Sequence, residues 1–149
     1  MRAGVLFLAM MAAAGCIRLV PRPDLEQPKA AVDRHALAGA VERGGEEAEP
    51  RDEKDVFVKG RDPSVFSFLS LTDLRDEHTV AWKWYDPSGR LYKETAPVTV
   101  GLSGRVFARY AAWDEIRIFE AQDEGRWTVA VFLDGAVALT SRFEVKSKL

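Results

Sequence analysis

The stretch HTVAWKWYDPSG, residues 78–89, decides the fold, because its first eight residues alternate with the period of a β-strand. The DPSG tetrapeptide that follows predicts a tight turn, since proline presets φ and glycine accepts a positive φ. A strand that ends in such a turn is typical of an antiparallel sheet. One face of the strand carries His78, Val80, Trp82 and Trp84, and the other carries Thr79, Ala81, Lys83 and Tyr85.

Further short strands are predicted on both sides of this stretch. The segments with strand periodicity are DVFVKG, SVFSFLSLTDL, RLYKET, RVFARYAAW and EIRIFEA. RWTVAVFLDGAVALTSRFEV predicts a hairpin with Asp134-Gly135 as its two-residue turn. Seven or eight short strands within residues 55–149 predict an all-β, antiparallel sandwich. Trp82, Trp84 and Trp127 are expected to form the core between its two sheets.

The arrangement WKWYDPSGRLY followed by GRWTVAVFLDGAVALTSRFEV resembles the immunoglobulin-like domains of bacterial envelope proteins. In those domains a tryptophan-bearing strand precedes a D-P-x-G turn, and a late G-x-W-x-V strand pairs with a last strand ending in F-x-V. The resemblance implies an immunoglobulin-like β-sandwich of about seven strands over residues 55–149. Such folds carry many unrelated functions. An antibody-type disulfide cannot form there, because the chain has one cysteine, Cys16.

The first fifteen residues have the composition of an export signal. Arg2 supplies a positive charge, and residues 3–14 are small or apolar without any charge. A helical membrane span needs about 20 apolar residues, and this run is shorter. We therefore predict a signal peptide over residues 1–15, which takes no part in the fold.

Ala13, Ala14, Gly15 and Cys16 resemble the lipobox of bacterial lipoproteins. The resemblance implies that a signal peptidase recognises the three small residues and that the Cys16 thiol carries a diacylglyceryl anchor in a membrane. In such lipoproteins Ile17, directly after the cysteine, favours the outer membrane and a periplasm-facing domain. The alternative is an ordinary signal peptide near a free cysteine, which is an awkward feature in an oxidising compartment.

Residues 16–54 are predicted to be the lipidated cysteine followed by a flexible tether. Residues 17–54 mix four prolines with many charges and have no aromatic residue, so they offer little apolar surface for burial. Within them, DRHALAGAVERGG (residues 33–45) has a capping residue, an i, i+4 apolar pair and a glycine stop. A helix of this length is marginal in water, so we expect it to be transient or to dock on a partner.

The sequence offers no clear catalytic or metal-binding constellation. Cys16 is consumed by lipidation, His35 lies in the predicted tether, and His78 is expected at a solvent-exposed turn rather than as a catalytic base. The acidic segment DLRDEH lacks the spacing of a calcium loop. We therefore predict that the chain is not an enzyme and that it holds no metal ion and no cofactor beyond the lipid on Cys16.

The remaining hypotheses concern binding. The net charge is −2 and no basic cluster is present, so nucleic-acid binding is disfavoured. The main hypothesis is an accessory or assembly subunit that binds another envelope protein through sheet edges and exposed aromatic side chains. The alternative is binding of carbohydrate or cell-wall glycan by the same aromatics. The candidates for this surface are Tyr85, Tyr92, Tyr110 and Trp113.

Overall fold

The computed structural model describes residues 30–44 and 47–147, which form ten β-strands and no helix. The predicted signal peptide, the lipobox-like segment and Cys16 lie outside these residues. None of the described residues belongs to a helix long and apolar enough to cross a bilayer. The strands are β1 (Ala31–Gly44), β2 (Glu47–Glu53), β3 (Val56–Val58), β4 (Ser64–Arg75), β5 (His78–Tyr85), β6 (Leu91–Glu94), β7 (Val98–Val100), β8 (Val106–Arg117), β9 (Gly125–Leu133) and β10 (Ala136–Lys146).

The strands form two sheets that enclose one apolar core. The first sheet has the order β2-β1-β4-β8, and the second has the order β3-β10-β9-β5-β6, with β7 also paired to β5. Both sheets supply side chains to this core, for example Leu69 and Leu71 from β4 and Val129 from β9. The all-β, two-sheet architecture predicted from the sequence is therefore confirmed.

The alternation predicted along β5 is confirmed, because every second residue of this strand is buried. Trp82, Trp84 and Trp127 are almost completely buried in the core between the sheets, as expected. The ring of Trp127 stacks on that of Phe143 with 6.2 Å between centroids. The turn at the end of the β9–β10 hairpin has a positive φ at both central residues, Asp134 (51°) and Gly135 (80°), which suits the right-handed twist of the strands.

Three details differ from the predicted strands. RVFARYAAW and EIRIFEA are not two strands, because β8 runs through Asp114 and Glu115 without a turn. The short strand β7 was not predicted. The sheets are not purely antiparallel either, since β3 runs parallel to β10, with Phe57 opposite Val145.

The largest correction concerns the predicted tether. β1 and β2 are strands of the first sheet, so the tether prediction is wrong over residues 31–44 and 47–53, and the domain begins before residue 55. β1 pairs antiparallel with β4, which places His35 opposite Leu69 and Leu37 opposite Ser67. The segment predicted as a short helix is therefore a strand, because pairing with β4 and burial of Leu37 in the core outweigh its local helix signals.

The first sheet also buries its second face. Ser67 faces the core, where its hydroxyl accepts a hydrogen bond from Trp82 Nε1, so the neighbouring Phe68 points to the opposite side of the sheet. Phe68 is nevertheless completely buried. β1 and β2 also bury small side chains, namely Ala36, Ala38 and Ala48.

The β1–β2 hairpin covers this second face. β2 and β8 lie at opposite edges of the first sheet in strand order. Yet Glu49 on β2 lies 2.7 Å from the guanidinium of Arg109 on β8, and Glu47 lies 3.7 Å from it. Glu49 also lies 3.5 Å from Arg34 on β1. The first sheet is therefore curled so that β2 lies over the face that carries Phe68, with small alanines leaving room for this approach.

Candidate binding site at the open edge of the first sheet

The four aromatic residues predicted as a binding surface do not lie on one face. Tyr85 points away from the core, on the face of β5 opposite Trp84. Tyr92, which is 45% exposed, packs edge-on against Trp127 with 5.0 Å between ring centroids. Tyr110 and Trp113 lie on β8 of the first sheet. Only the last two come together at one site.

β8 is an edge strand that pairs with β4 on one side only, within the described part of the chain. At its end the N–H of Ile118 donates to the carbonyl of Pro63 at 2.9 Å, which continues the β4–β8 register. Residues of an antiparallel strand direct their main-chain groups to alternate sides. Ala112 and Asp114 therefore face β4, and Ala111 and Trp113 present their N–H and C=O groups to the open edge.

One end of this edge is covered and the other is not. The ammonium group of Lys93 on β6 donates to the carbonyl of Glu115 at 2.6 Å, which occupies the edge there. Beyond Trp113, toward Val106, a groove of about 750 Å³ runs between β8 and the end of the β1–β2 hairpin. Its charged and aromatic lining comprises Arg43, Glu47, Arg105, Phe107, Arg109, Tyr110 and Trp113.

Three arginines make this groove locally positive, although the chain as a whole carries a net charge of −2. Arg109 donates to Ser70 Oγ at 3.2 Å and pairs with Glu49. The guanidinium carbon of Arg43 lies 5.2 Å from the ring centroid of Trp113, within cation–π distance. Arg105 has no carboxylate within ion-pair distance among the described residues, and its neighbour Val106 is 63% exposed.

The two aromatic side chains flank the edge of β8 on opposite faces. Tyr110 pairs with Leu71 and points toward the core side, where its ring packs edge-on against Phe107 at 5.4 Å. Trp113 pairs with Phe68 and points toward the face of the first sheet that the β1–β2 hairpin covers, called the hairpin side below. Both are half-buried. A ligand at this edge would contact one ring on each side, and the two rings do not form a flat platform.

His35 belongs to the fold rather than to this groove. Its Nε2 lies 2.9 Å from Ser67 Oγ, the same hydroxyl that accepts the Trp82 indole N–H. Burial lowers the pKa of His35 to about 4. The imidazole is therefore neutral at neutral pH and serves as a structural hydrogen-bond partner between β1 and β4.

His78 is buried, with 5% of its surface exposed, and the expectation of a solvent-exposed turn position is wrong. Its Nδ1 lies 2.6 Å from Asp134 Oδ2 and its Nε2 lies 2.9 Å from the carbonyl of Arg75. Burial tends to raise the pKa of Asp134, but hydrogen bonds from His78 and the Thr79 N–H outweigh it and hold the pKa below its usual value. The hydrogen bonds of Asp134 with His78 and Thr79 hold the β9–β10 turn against the start of β5.

Two acidic side chains of the segment DLRDEH have other partners. Asp73 pairs with Arg75, and Asp76 accepts a hydrogen bond from the Gly104 N–H at 2.7 Å. Within residues 30–44 and 47–147, no group of three or more histidine, cysteine or acidic side chains is placed to hold a metal ion.

Comparison with known proteins gives only weak structural similarities. No family model and no curated protein sequence matches the chain. Among solved structures, a Pseudomonas fluorescens alkylpurine DNA glycosylase bound to abasic-site DNA matches with a TM-score of 0.49 and 13% identity, over 78% of this chain and 30% of that one. A β-glucosidase from Listeria innocua matches with a TM-score of 0.45 and 12% identity, over 76% and 16%.

A third structure, the CARDB domain of a Pyrococcus furiosus protein in complex with di-metal ions, matches with a TM-score of 0.41 and 13% identity. That match covers 83% of this chain and 90% of the other. The chain thus spans less than a third of the first two proteins. At these identities and TM-scores, none of the three supports an argument about function.

Proposed function

We propose that this chain is an outer-membrane lipoprotein without catalytic activity, whose domain binds another envelope protein. The anchor would be the lipid on Cys16, exposed after removal of residues 1–15, and the domain would face the periplasm. Support for this anchor comes from the lipobox-like segment Ala13–Cys16, with its small residues directly before the cysteine.

We propose further that the domain is immunoglobulin-like, and its strand connectivity supports this. β1, β4 and β8 of the first sheet take the places of strands A, B and E, and β5, β9 and β10 of the second take those of C, F and G. The parallel pairing of β3 with β10 and the covering β1–β2 hairpin are additions to that arrangement. The fold class leaves function open, so the argument for binding depends on the β8 edge.

The open edge of β8 beside the groove is the observation that carries the proposal. Unpaired main-chain groups on an exposed edge invite pairing with another strand, and proteins usually cover such edges. Here Lys93 covers only the end at Glu115. An extended segment of a partner can pair with Ala111 and Trp113 and place alternate side chains against Tyr110 and Trp113. Glycan binding is less well supported, because these rings lie on opposite faces of β8.

Site-specific photo-crosslinking in the native envelope tests this proposal. A photoreactive residue at Ala108, which is exposed in the groove, should give an adduct of one discrete mass with an envelope protein. The same residue at Thr140, exposed on the second sheet, is the matched control and should give none. No adduct at position 108, or the same adduct from both positions, would contradict strand addition at β8.

Proline substitutions test the main-chain contact directly. Ala111→Pro removes an N–H that points to the open edge, so the domain should fold while the adduct at position 108 is lost. Ala112→Pro removes an N–H that faces β4 and should destabilise the domain. An adduct that persists in folded Ala111→Pro would show that the partner does not pair with this edge.

The anchor is tested separately. Cys16→Ser removes the thiol that receives the lipid, so the folded domain should move from the membrane fraction to the soluble fraction after lysis. If this variant stays in the membrane fraction, the lipoprotein proposal is wrong.

A further inference from the structure

We infer that the segment bound at the β8 edge is acidic: an extended polypeptide stretch of the partner that places carboxylates on the hairpin side of the groove. This inference rests on the proposed function and specifies the chemistry of the partner at that site.

The charge of the groove favours carboxylates. Among the described residues, its lining carries three arginines and one carboxylate, Glu47, and Glu49 beside the lining also pairs with Arg109. The Nη1 atom of Arg109 lies 3.7 Å from Glu47, beyond hydrogen-bond distance, so this nitrogen retains donor capacity for an incoming carboxylate. Hydrogen bonds between guanidinium groups and carboxylates are among the stronger ones in proteins, and Arg105 lies at the entrance without a competing acid among the described residues.

The strand geometry sets the spacing of these carboxylates. Side chains on the hairpin face of β8 recur at every second residue: Arg109, Ala111 and Trp113. A paired segment places its own side chains opposite them with the same period. The segment can place one carboxylate opposite Arg109 and a second opposite Trp113, where Arg43 lies above the indole ring. These two carboxylates are four residues apart in the segment.

The other face of the bound segment meets an apolar surface. Tyr110 points to the core side of β8 and Phe107 packs edge-on against it. The two partner residues that lie between the carboxylates and point to this side should therefore be apolar. The preferred pattern is acidic, apolar, small, apolar, acidic. A second copy of β8 fits this pattern poorly, because its Asp114 is already bound to Trp84 and Lys93.

Fluorescence anisotropy with three labelled peptides tests this inference on the full chain in detergent micelles. The probes TEVTVET, TQVTVQT and TKVTVKT share one frame and differ in charge at two positions. The acidic peptide should bind about tenfold more tightly than the neutral one. Its affinity should fall when salt rises from about 50 mM to about 500 mM, and the basic peptide should not bind.

The same binding measurement is repeated on two charge-reversal variants, one in the groove and one outside it. Arg105→Glu should weaken binding of the acidic peptide about tenfold, whereas Arg126→Glu, an exposed arginine on the second sheet, should leave it unchanged. Ala111→Pro should abolish binding, because the contact runs through the main chain of β8.

The outcomes separate this inference from the proposed function. Equal binding of all three peptides, lost in Ala111→Pro, would overturn the acidic preference and leave strand addition intact. Peptide binding that persists unchanged in folded Ala111→Pro would overturn both. Binding of none of the peptides, with a concentration-dependent dimer in sedimentation, would also overturn both and identify a second copy as the occupant.

Discussion

The indole Nε1 of Trp84 donates a 2.8 Å hydrogen bond to Asp114 Oδ2, and this bond joins the two sheets across the core. Lys93 Nζ lies 2.8 Å from the other carboxylate oxygen of Asp114. Trp84 and Lys93 belong to β5 and β6 of the second sheet, and Asp114 belongs to β8 of the first. The carboxylate of Asp114 therefore links the edge strand that carries the candidate site to two residues of the opposite sheet.

Asp114→Ala should lower the free energy of unfolding by about 2 kcal/mol, because it leaves the fully buried indole N–H of Trp84 without an acceptor. Asp114→Asn retains an acceptor oxygen for Trp84 and should cost less. Urea unfolding followed by tryptophan fluorescence measures both changes.

Asp123→Ala is the matched control for this bond. The carboxylate of Asp123 is largely exposed and lies 3.7 Å from Arg90, so its removal should change the free energy of unfolding by less than about 0.5 kcal/mol. Equal effects of Asp114→Ala and Asp123→Ala would mean that the link between the sheets contributes nothing to stability.

The fragment 55–149 should not fold, whereas the fragment 30–149 should. Removal of β1 and β2 takes Leu37 out of the core and uncovers the otherwise buried Phe68, and it leaves β4 unpaired on one side. Near-ultraviolet circular dichroism and the cooperativity of urea unfolding distinguish the two fragments. A cooperative unfolding transition in the fragment 55–149 would contradict this expectation and support the domain start at residue 55 predicted from the sequence.

The protein should lose stability as the pH falls from about 6.5 to about 4. Burial lowers the pKa of His35 from 6.5 to about 4, so in this range the unfolded chain binds a proton that the folded protein does not. Protonation therefore favours unfolding, and the loss levels off below about pH 4. We expect about 2 kcal/mol in total, allowing for partial solvation of the ring.

His35→Gln isolates this contribution. Glutamine can still bond Ser67 but does not titrate, so the difference in unfolding free energy between the two proteins should change across this pH range and stay constant above it. The lowered pKa values of Asp62 and Asp134 act in a more acidic range, where carboxylates are protonated as pH falls. A difference that is independent of pH would contradict burial of a neutral His35.

Two glycines with similar backbone angles should respond differently to alanine. Gly101 has a φ of 81°, and a Cβ there would lie 2.2 Å from the carbonyl oxygen of Asp76. Gly104 has a φ of 72° and no atom within 4 Å of the corresponding position. Gly101→Ala should therefore cost about 3 kcal/mol or more, and Gly104→Ala about 1 kcal/mol. Thermal and urea unfolding measure both, and similar costs would contradict the close contact with Asp76.

The features that the sequence predicts well are those set by local patterns. The strict alternation of β5 makes its buried face evident, and Asp134-Gly135 identifies the turn of the β9–β10 hairpin because both residues tolerate a positive φ. Trp82 and Trp84 follow from the same alternation, and Trp127 follows from the strand pattern of β9.

The features that the sequence predicts poorly depend on contacts between residues far apart in the chain. β1 lacks large apolar residues at Ala36 and Ala38, because β2 approaches closely there, and its ion pairs with β2 resemble the mixed charges of a tether. Asp114 lies between the two strands predicted from RVFARYAAW and EIRIFEA, yet it belongs to one strand and accepts a hydrogen bond from Trp84 thirty positions earlier. The open edge of β8 depends on strand order, which no local pattern of this segment specifies.

The start of β1 at Ala31 would limit the distance between the domain and the proposed lipid on Cys16. Fourteen residue steps separate Cys16 from Ala30, and a fully extended chain of that length spans at most about 50 Å. Thr72 pairs with both Ala31 and Arg109, so the groove lies at the same end of the sheet as the entering chain. With the proposed anchor, the groove would sample only a thin layer next to the bilayer, and a partner attached to that same membrane would meet it at a high effective concentration.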